Sequence, residues 1–194
     1  MIKIAILLPY KENFSSSYAG AVSLFVKDTT LRSKYKSSIV VFGHTNYKSI
    51  FNVKYKNIEL KKILLQSGSK AYIKNFLKIE EKNPSDIIEV HNRPNYIKYL
   101  YGKISGNIVL YFHNDPLTMV GSKSLRDRKH LLSYVSKIVF NSQWSKLRFL
   151  TSIDKKYINS DKLLVVYQSA NKPQLNLKQK KNWIRKRSNQ HNKH

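Results

Sequence analysis

Short apolar runs alternate with amphipathic segments along most of the chain. Residues 2–9 are almost wholly apolar and stop at a proline, which is typical of a strand buried on both faces. Residues 21–35 carry apolar positions at helical spacing, with an N-cap expected from the serines at 15–17, and residues 37–43 form a second apolar run. This order of strand, helix and strand predicts a parallel βαβ unit.

The same alternation continues to residue 169. It predicts further strands at 58–60, 86–92, 107–114, 137–142 and 162–169, and helices at 69–83, 93–104, 121–136 and 142–153, the last with Ser142 as its N-cap. Because both faces of these strands are apolar, helices should cover both sides of one sheet. We therefore expect an α/β fold with a doubly wound, Rossmann-like parallel sheet.

The alternation stops after Pro173, where the composition changes. Residues 174–194 contain no acid, and their cations are Lys178, Lys180, Lys181, Arg185, Lys186, Arg187 and Lys193. Such a run is typical of a solvated or disordered segment. We expect residues 1–173 to form one globular domain and residues 174–194 to be a disordered basic tail.

Composition excludes several classes of protein. The 194 residues suit one domain with a tail, and the absence of cysteine excludes disulfide scaffolds, Cys-ligated zinc and thiol nucleophiles. The first apolar run is far too short to span a membrane and lacks the features of a signal peptide. We therefore expect a cytoplasmic protein.

The charge favours anionic partners. There are 36 Lys and Arg against 11 Asp and Glu, a formal net charge of +25. Most cations are lysines, and Lys, Asn, Ile, Tyr and Phe are abundant together, as in proteins of AT-rich genomes, so part of the charge need not serve recognition. We expect phosphorylated ligands or an anionic membrane surface rather than a specific nucleic acid, and a non-enzymatic anion- or nucleic-acid-binding module is the alternative.

Ligands of open parallel sheets bind beyond the carboxyl ends of the strands. The polar residues that follow the predicted strands are Tyr10, Lys11, Gly43, His44, His91, Asn92, Arg93, His113, Asn114, Asp115, Asn141, Ser142, Gln168 and Ser169. Their convergence predicts a site at this edge of the sheet.

Histidines carry the most specific chemistry in that set. His113 leaves a strand just before a proline-containing turn, so it can bind a sugar hydroxyl or act as an acid or base; a structural core histidine is the alternative. Glu89 and His91 share one strand face by their period of two, with Arg93 just beyond; a salt bridge at the strand end is the alternative. No histidine spacing is typical of a metal site.

The segment before the first helix has the features of a phosphate-binding turn. Gly20 would let the backbone approach a ligand, and the helix offers free N–H groups. The alternative is a plain N-cap with a helix-packing glycine. The dinucleotide-binding and Walker A glycine motifs are absent, which argues against a dinucleotide enzyme or an NTPase.

Four segments together resemble a known family: SYAGAVSLFVKD, IIEVHNRPNYIKYL, YFHNDPLTMVGSKSLRDRKHLL and IVFNSQWSKLRFL. In this order they are similar to the N-terminal domain of family-4 glycosyltransferases of GT-B fold, of the bacterial lipopolysaccharide and surface-polysaccharide type, over about residues 1–173. The resemblance implies a retaining hexosyltransferase of two domains, in which the N-terminal domain binds the acceptor and the C-terminal domain holds most of the nucleotide-sugar donor. It implies no metal and no cofactor, since the nucleotide sugar is a substrate.

The resemblance also implies roles for individual residues. By position, His113 matches a catalytic histidine that contacts the transferred sugar or stabilises the transition state, and Ala19 and Gly20 match the loop that approaches the donor diphosphate. The acceptor side would be lined by Glu89, His91, Asn92, Arg93, Asn114, Asp115, Asn141 and Ser142.

One departure from the family is large: the donor domain does not follow residue 173. We expect a truncated chain, with a frameshift near Trp183, that is inactive alone or acts with a separately encoded C-terminal domain. The expected partners are a nucleotide-sugar donor, a glycan or lipid-linked acceptor and, peripherally, the anionic inner face of the cytoplasmic membrane.

Overall fold

A computed structural model describes residues 2–48, 50–60 and 67–168. The strands in these residues are β1 (Ile4–Leu7), β2 (Ile39–Gly43), β3 (Tyr55–Asn57), β4 (Ile87–His91), β5 (Asn107–Phe112), β6 (Lys137–Phe140) and β7 (Leu163–Val165). The α-helices are α1 (Ala21–Arg32), α2 (Gly68–Lys82), α3 (Ile97–Leu100), α4 (Leu125–Tyr134) and α5 (Gln143–Leu150). This α/β architecture is the expected one.

All seven strands lie in one parallel sheet with the order β3-β2-β1-β4-β5-β6-β7. The chain moves one way from β1 to β3, returns past β1 and then runs from β4 to β7. Because parallel crossovers are right-handed, this reversal places α1 on one face and α2 to α5 on the other. The direction changes between β1 and β4, which is where doubly wound sheets bind ligands.

The core has one cluster on each face of the sheet. The face that carries α1 buries Ile4, Ile6 and Leu8 of the first strand segment against Val22 and Val26 of the helix. The opposite face holds the larger cluster, including Phe76, Leu110, Phe112, Phe140 and Phe149. Helices therefore cover both faces, as predicted, but unequally.

Most predicted elements are confirmed within a few residues, and the differences have local causes. The strand predicted at 58–60 lies at Tyr55–Asn57, a short polar strand at the edge of the sheet, where exposed side chains are tolerated. The helix predicted at 93–104 is a 3₁₀ turn, Pro94–Tyr96, followed by the four-residue α3, and Gly102 at φ +73° reverses the chain soon afterwards. The helix predicted at 121–136 begins only at Leu125.

Of the two predicted helix N-caps, the structure confirms the cap of α5 and not the cap of α1. Ser142 caps α5, since its side chain accepts a hydrogen bond from the Ser145 N–H. The cap of α1 expected from the serines at 15–17 is wrong, because the N-cap residue is Gly20 and a more distant carboxylate supplies the acceptor.

The predicted domain boundary at 173, the basic tail at 174–194 and Ser169 lie outside the described residues. Among the helices that are described, none is long and apolar enough to cross a membrane.

Candidate functional site

Two adjacent strands present a row of polar side chains on the α1 face of the sheet. β4 and β5 pair in a register that sets His91 opposite Tyr111 and Glu89 opposite Val109. Because side chains alternate along a strand, Glu89, His91, Tyr111 and the next residue in phase, His113, point to the same side. The two strands thus gather four chemically active side chains at the carboxyl edge.

A chain of hydrogen bonds joins these side chains. His91 Nδ1 lies 2.9 Å from His113 Nε2, and His91 Nε2 lies 3.5 Å from Glu89 Oε2. The other nitrogen of His113, Nδ1, is hydrogen-bonded to Nε2 of Gln168, a residue that follows β7. The chain runs from the half-buried Glu89 through the buried His91 to an exposed amide.

Aromatic rings pack against the two histidines of this hydrogen-bonded row. The Tyr111 ring stacks on His91 with 4.5 Å between centroids and 11° between planes. Phe25 of α1 meets His113 edge-on at 5.1 Å, and it lies 6.1 Å from His91. The rings hold both imidazoles in place and remove them from water.

Backbone contacts fix the position of His113. Asn92 adopts φ +54°, a left-handed conformation that asparagine tolerates, and its side-chain oxygen accepts from the His113 N–H at 3.2 Å. Asn141 Nδ2 donates to the His113 carbonyl at 2.8 Å. Two predicted site residues therefore serve as supports for a third.

Burial sets the charge of the site. Desolvation, with a smaller contribution from the neighbouring His91, lowers the pKa of His113 from 6.5 to about 3. Burial also raises the pKa of the Tyr111 hydroxyl, with a contribution from the Glu89 charge. His113 is therefore neutral near pH 7, which suits it to hydrogen bonding rather than to donating a proton.

Several other predicted residues are held in structural contacts. Asp115 caps the turn Pro116–Thr118 and pairs with Arg148, whose Nη2 lies 2.9 Å from Oδ2. Arg93 donates to the Asn92 carbonyl at 2.8 Å, and Ser142 caps α5. Asn114 is exposed. The contacts of Asp115, Arg93 and Ser142 explain the positions of these three residues without a ligand.

The predicted phosphate-binding turn already holds an anion of the protein itself. Glu12 Oε1 accepts from the Ser23 N–H at 3.1 Å, at the N-terminus of α1. Gly20 gives the Glu12 carboxylate room, because a Cβ at this position would meet it. Ala19 is half-buried beside it. Sequence reasoning missed Glu12, although an acid shortly before a helix is a recognisable capping signal.

Phe25 and Tyr111 are further site residues that sequence reasoning did not identify. Both have apolar rings within predicted core elements, so nothing in the sequence separates them from ordinary core aromatics. The sequence indicates Gln168 only as a polar residue that follows a predicted strand.

Two of the grooves that the described residues form are large enough for a ligand. One, of about 770 Å³, lies between α1 and the segment after β7, and its lining includes Leu24, Phe25, Asp28, Val166 and Gln168. The other, of about 950 Å³, lies between the C-terminal half of α2 and the opposite end of the strands, and no predicted site residue lines it. The first groove is next to His113, because Phe25 and Gln168 touch that residue. Within the described residues, no three His, Asp or Glu side chains are arranged to hold a metal ion.

Comparisons with known proteins find similarity to this chain in structure but not in sequence. No protein-family profile and no curated protein sequence matches it. Solved structures do: HepE of Anabaena, in complex with UDP and glucose, aligns with a TM-score of 0.58 and 14% identity over 88% of this chain and 45% of HepE. The apo form of the lipopolysaccharide outer core galactosyltransferase WaaB aligns with a TM-score of 0.61 and 15% identity over 90% of this chain and 48% of WaaB.

This chain has a GT-B-type fold. The same architecture recurs in the UDP-N-acetylglucosamine 2-epimerase of Rickettsia bellii, with a TM-score of 0.51 and 11% identity over 85% of this chain and 44% of the epimerase. The chain spans less than half the length of each of these three proteins. The expected Rossmann-like domain is therefore confirmed at the level of fold.

Proposed function

We propose that this chain is the acceptor-side domain of a family-4 glycosyltransferase that moves a sugar from a nucleotide-sugar donor to a glycan or lipid-linked acceptor in cell-surface polysaccharide or lipopolysaccharide synthesis. The observation that carries the proposal is the neutral, walled His113 at the carboxyl edge of a GT-B-type sheet. The complex of HepE with UDP and glucose and the galactosyltransferase WaaB support it, because each shares this fold.

The residues of this domain would act mainly by orienting the sugar. A hydroxyl of the transferred sugar replaces Gln168 and donates a hydrogen bond to His113 Nδ1. The Phe25 ring and the apolar lining of the adjoining groove exclude water from the reacting sugar, which limits hydrolysis of the donor. Because the low pKa of His113 keeps it neutral near pH 7, it is not a general acid, and its role is orientation and hydrogen bonding.

The donor diphosphate would approach α1 near Ala19 and Gly20. Glu12 occupies the helix N-terminus there, so its carboxylate must swing away before a diphosphate can use the same N–H groups. A second domain would supply the remaining donor contacts, as transfer by GT-B enzymes needs closure of two domains. We expect little or no transfer by this chain alone, and clear turnover in a panel of nucleotide sugars would contradict that expectation.

Nuclear magnetic resonance of the ¹⁵N-labelled chain tests the proposal directly. Titration with UDP-glucose and with glucose should shift the amide signals of Phe25, His113 and Gln168. The variant His113→Gln should weaken these shifts, whereas His130→Gln, on the exposed side of α4, should not. Sugars that leave all three signals unmoved at millimolar concentration, or that bind His113→Gln as tightly as the wild type, would refute the proposal.

We propose peripheral membrane contact through α5 and through the loop that follows the turn Pro116–Thr118, which packs on α5. Trp144 and Leu147 lie one helical turn apart and are 58% and 60% exposed, and Val120 is 69% exposed. The cations Lys123 and Arg126 are exposed near the start of α4. Arg148 lies over the Trp144 ring at 5.6 Å, and exposed apolar side chains combined with cations suit the interface of an anionic bilayer.

Vesicle co-sedimentation checks this contact. The double variant Trp144→Ser, Leu147→Ser should reduce binding to vesicles that contain an anionic phospholipid, with little binding of either protein to neutral vesicles. Leu31→Ser, an exposed leucine on α1, is the matched control. Equal binding by the double variant and the control would exclude this surface.

A further inference from the structure

The four linked side chains at the sheet edge differ in what each can donate or accept. Glu89 carries a carboxylate, which only accepts hydrogen bonds. A neutral imidazole has one donor and one acceptor nitrogen. A histidine that donates a hydrogen bond through one nitrogen must therefore accept one through the other, so the direction of one hydrogen bond in the row fixes the direction of the next. The Gln168 amide presents a donor or an acceptor, depending on which way it turns.

The donor-to-acceptor direction of this row of hydrogen bonds follows from the Glu89 carboxylate at one end of it. His91 Nε2 faces Glu89 Oε2 at 3.5 Å and must carry the proton, so His91 Nδ1 is an acceptor. His113 Nε2, 2.9 Å from that acceptor, must then donate, which leaves His113 Nδ1 without a proton. The contact of Nδ1 with the donor Nε2 of Gln168 agrees with this assignment.

We propose that Glu89 and His91 are positioning residues that hold His113 in its Nε2–H tautomer, so that Nδ1 faces outward as an obligate acceptor. The group that binds His113 must then carry a hydrogen to donate, as a hydroxyl does, and a phosphate oxygen is rejected. Gln168 fills this place from within the chain and leaves it when a ligand binds. Only the identity of the ligand as a sugar rests on the proposed function.

Burial makes the arrangement effective. His91 is 1% exposed, so a water molecule has little access with which to satisfy a wrongly placed proton. Tyr111 stacks on His91 and Phe25 contacts His113 edge-on, which limits rotation of both imidazole rings. A tautomer set at Glu89 is therefore transmitted through two side chains to the ligand.

Histidine tautomers are read from long-range ¹H–¹⁵N correlation spectra of the full chain at neutral pH. We expect His91 and His113 to show the Nε2–H pattern. His44 provides a contrast in the same spectrum, because its Nδ1 lies 2.9 Å from the Ile58 carbonyl and must donate. An Nδ1–H pattern at His113 in the wild type would overturn the proposal.

Substitution of the carboxylate tests the direction. Glu89→Gln, whose amide donates or accepts, should abolish the single tautomer and give a mixture at both histidines. Glu89→Lys, which only donates, should reverse the chain and give Nδ1–H at His113. Glu81→Lys, an exposed change on α2, is the control and should leave the spectrum unaltered.

Substitution of Gln168, at the other end of the row, tests whether this residue or Glu89 sets the tautomer of His113. Gln168→Ala should keep the Nε2–H pattern at His113, because the direction is set at Glu89. A change of tautomer in Gln168→Ala, or none in either Glu89 variant, would overturn the proposal. These spectra need no sugar, so their outcome is independent of whether the proposed glycosyltransferase function holds.

Discussion

His113 should make the stability of this protein depend on pH in a defined window. Burial lowers its pKa from 6.5 to about 3, so between these values the unfolded chain binds a proton at this position that the folded chain does not bind. The free energy of unfolding must then fall as the pH falls from about 7 towards 3. Above pH 7 both states are neutral here and the contribution disappears.

The size of the effect follows from the two pKa values. At pH 5 an unfolded histidine with a pKa of about 6.5 is almost fully protonated. Each pH unit below that pKa lowers the free energy of unfolding by about 1.4 kcal/mol, as long as the folded histidine stays neutral. His113 should therefore lower the free energy of unfolding by about 2 kcal/mol between pH 8 and pH 5. A Gln at this position does not titrate, and it still has an N–H to offer His91.

Urea denaturation of the wild type and His113→Gln at pH 8 and pH 5 measures this contribution. The quantity of interest is the difference between the two proteins in their loss of stability, since the other titrating groups cancel. His130→Gln, at an exposed position, should follow the wild type. Parallel losses in the wild type and His113→Gln would refute the buried, neutral state of His113.

Two further predictions concern the loops around the site. Gly102→Ala and Gly121→Ala both place Ala at positive φ, +73° and +95°, but Gly102 has open space whereas a Cβ on Gly121 would lie 2.5 Å from the backbone N of Asn95. Thermal and urea unfolding should give losses of about 1 kcal/mol for Gly102→Ala and about 3 kcal/mol for Gly121→Ala, and equal losses would count against the tight contact. The hydrogen bond from Arg148 lowers the pKa of Asp115, so the stability that this carboxylate contributes is present above about pH 4 and is lost as the pH falls through its folded pKa. The stability gap between the wild type and Asp115→Asn should therefore narrow from pH 6 to pH 3, and a constant gap would contradict the ion pair.

The fold was predictable from sequence because its signals are local. The apolar runs and helical periods that define β1, α1 and α2 need no partner to be recognised, and the rule that parallel crossovers are right-handed orders the rest. The missed boundaries lie where local signals conflict with turns. Gly121, at positive φ, precedes the real start of α4 at Leu125, and a helical period alone does not register that turn.

The site was only partly predictable, because strand ends are visible in sequence and strand register is not. The sequence identifies Glu89, His91 and His113 as residues near strand ends, but their hydrogen bonds depend on His91 lying opposite Tyr111. A shift of one residue in that pairing would put His113 out of phase with His91, on the other face of the sheet. The contact with Gln168 is further still from sequence reasoning, since it joins β5 to a segment 55 residues away.

Burial explains why amides, an imidazole and an aromatic ring, rather than charged side chains, contact His113 directly. His113 lies between the end of β5 and Phe25 of α1, where a free charge would lack both water and a counter-ion. Among the described residues, the cations lie mostly on helices and loops, and the Glu89 carboxylate contacts His91 rather than His113. A neutral acceptor at the end of such a chain can discriminate a hydroxyl from an anion, which the net charge of +25 alone would not predict.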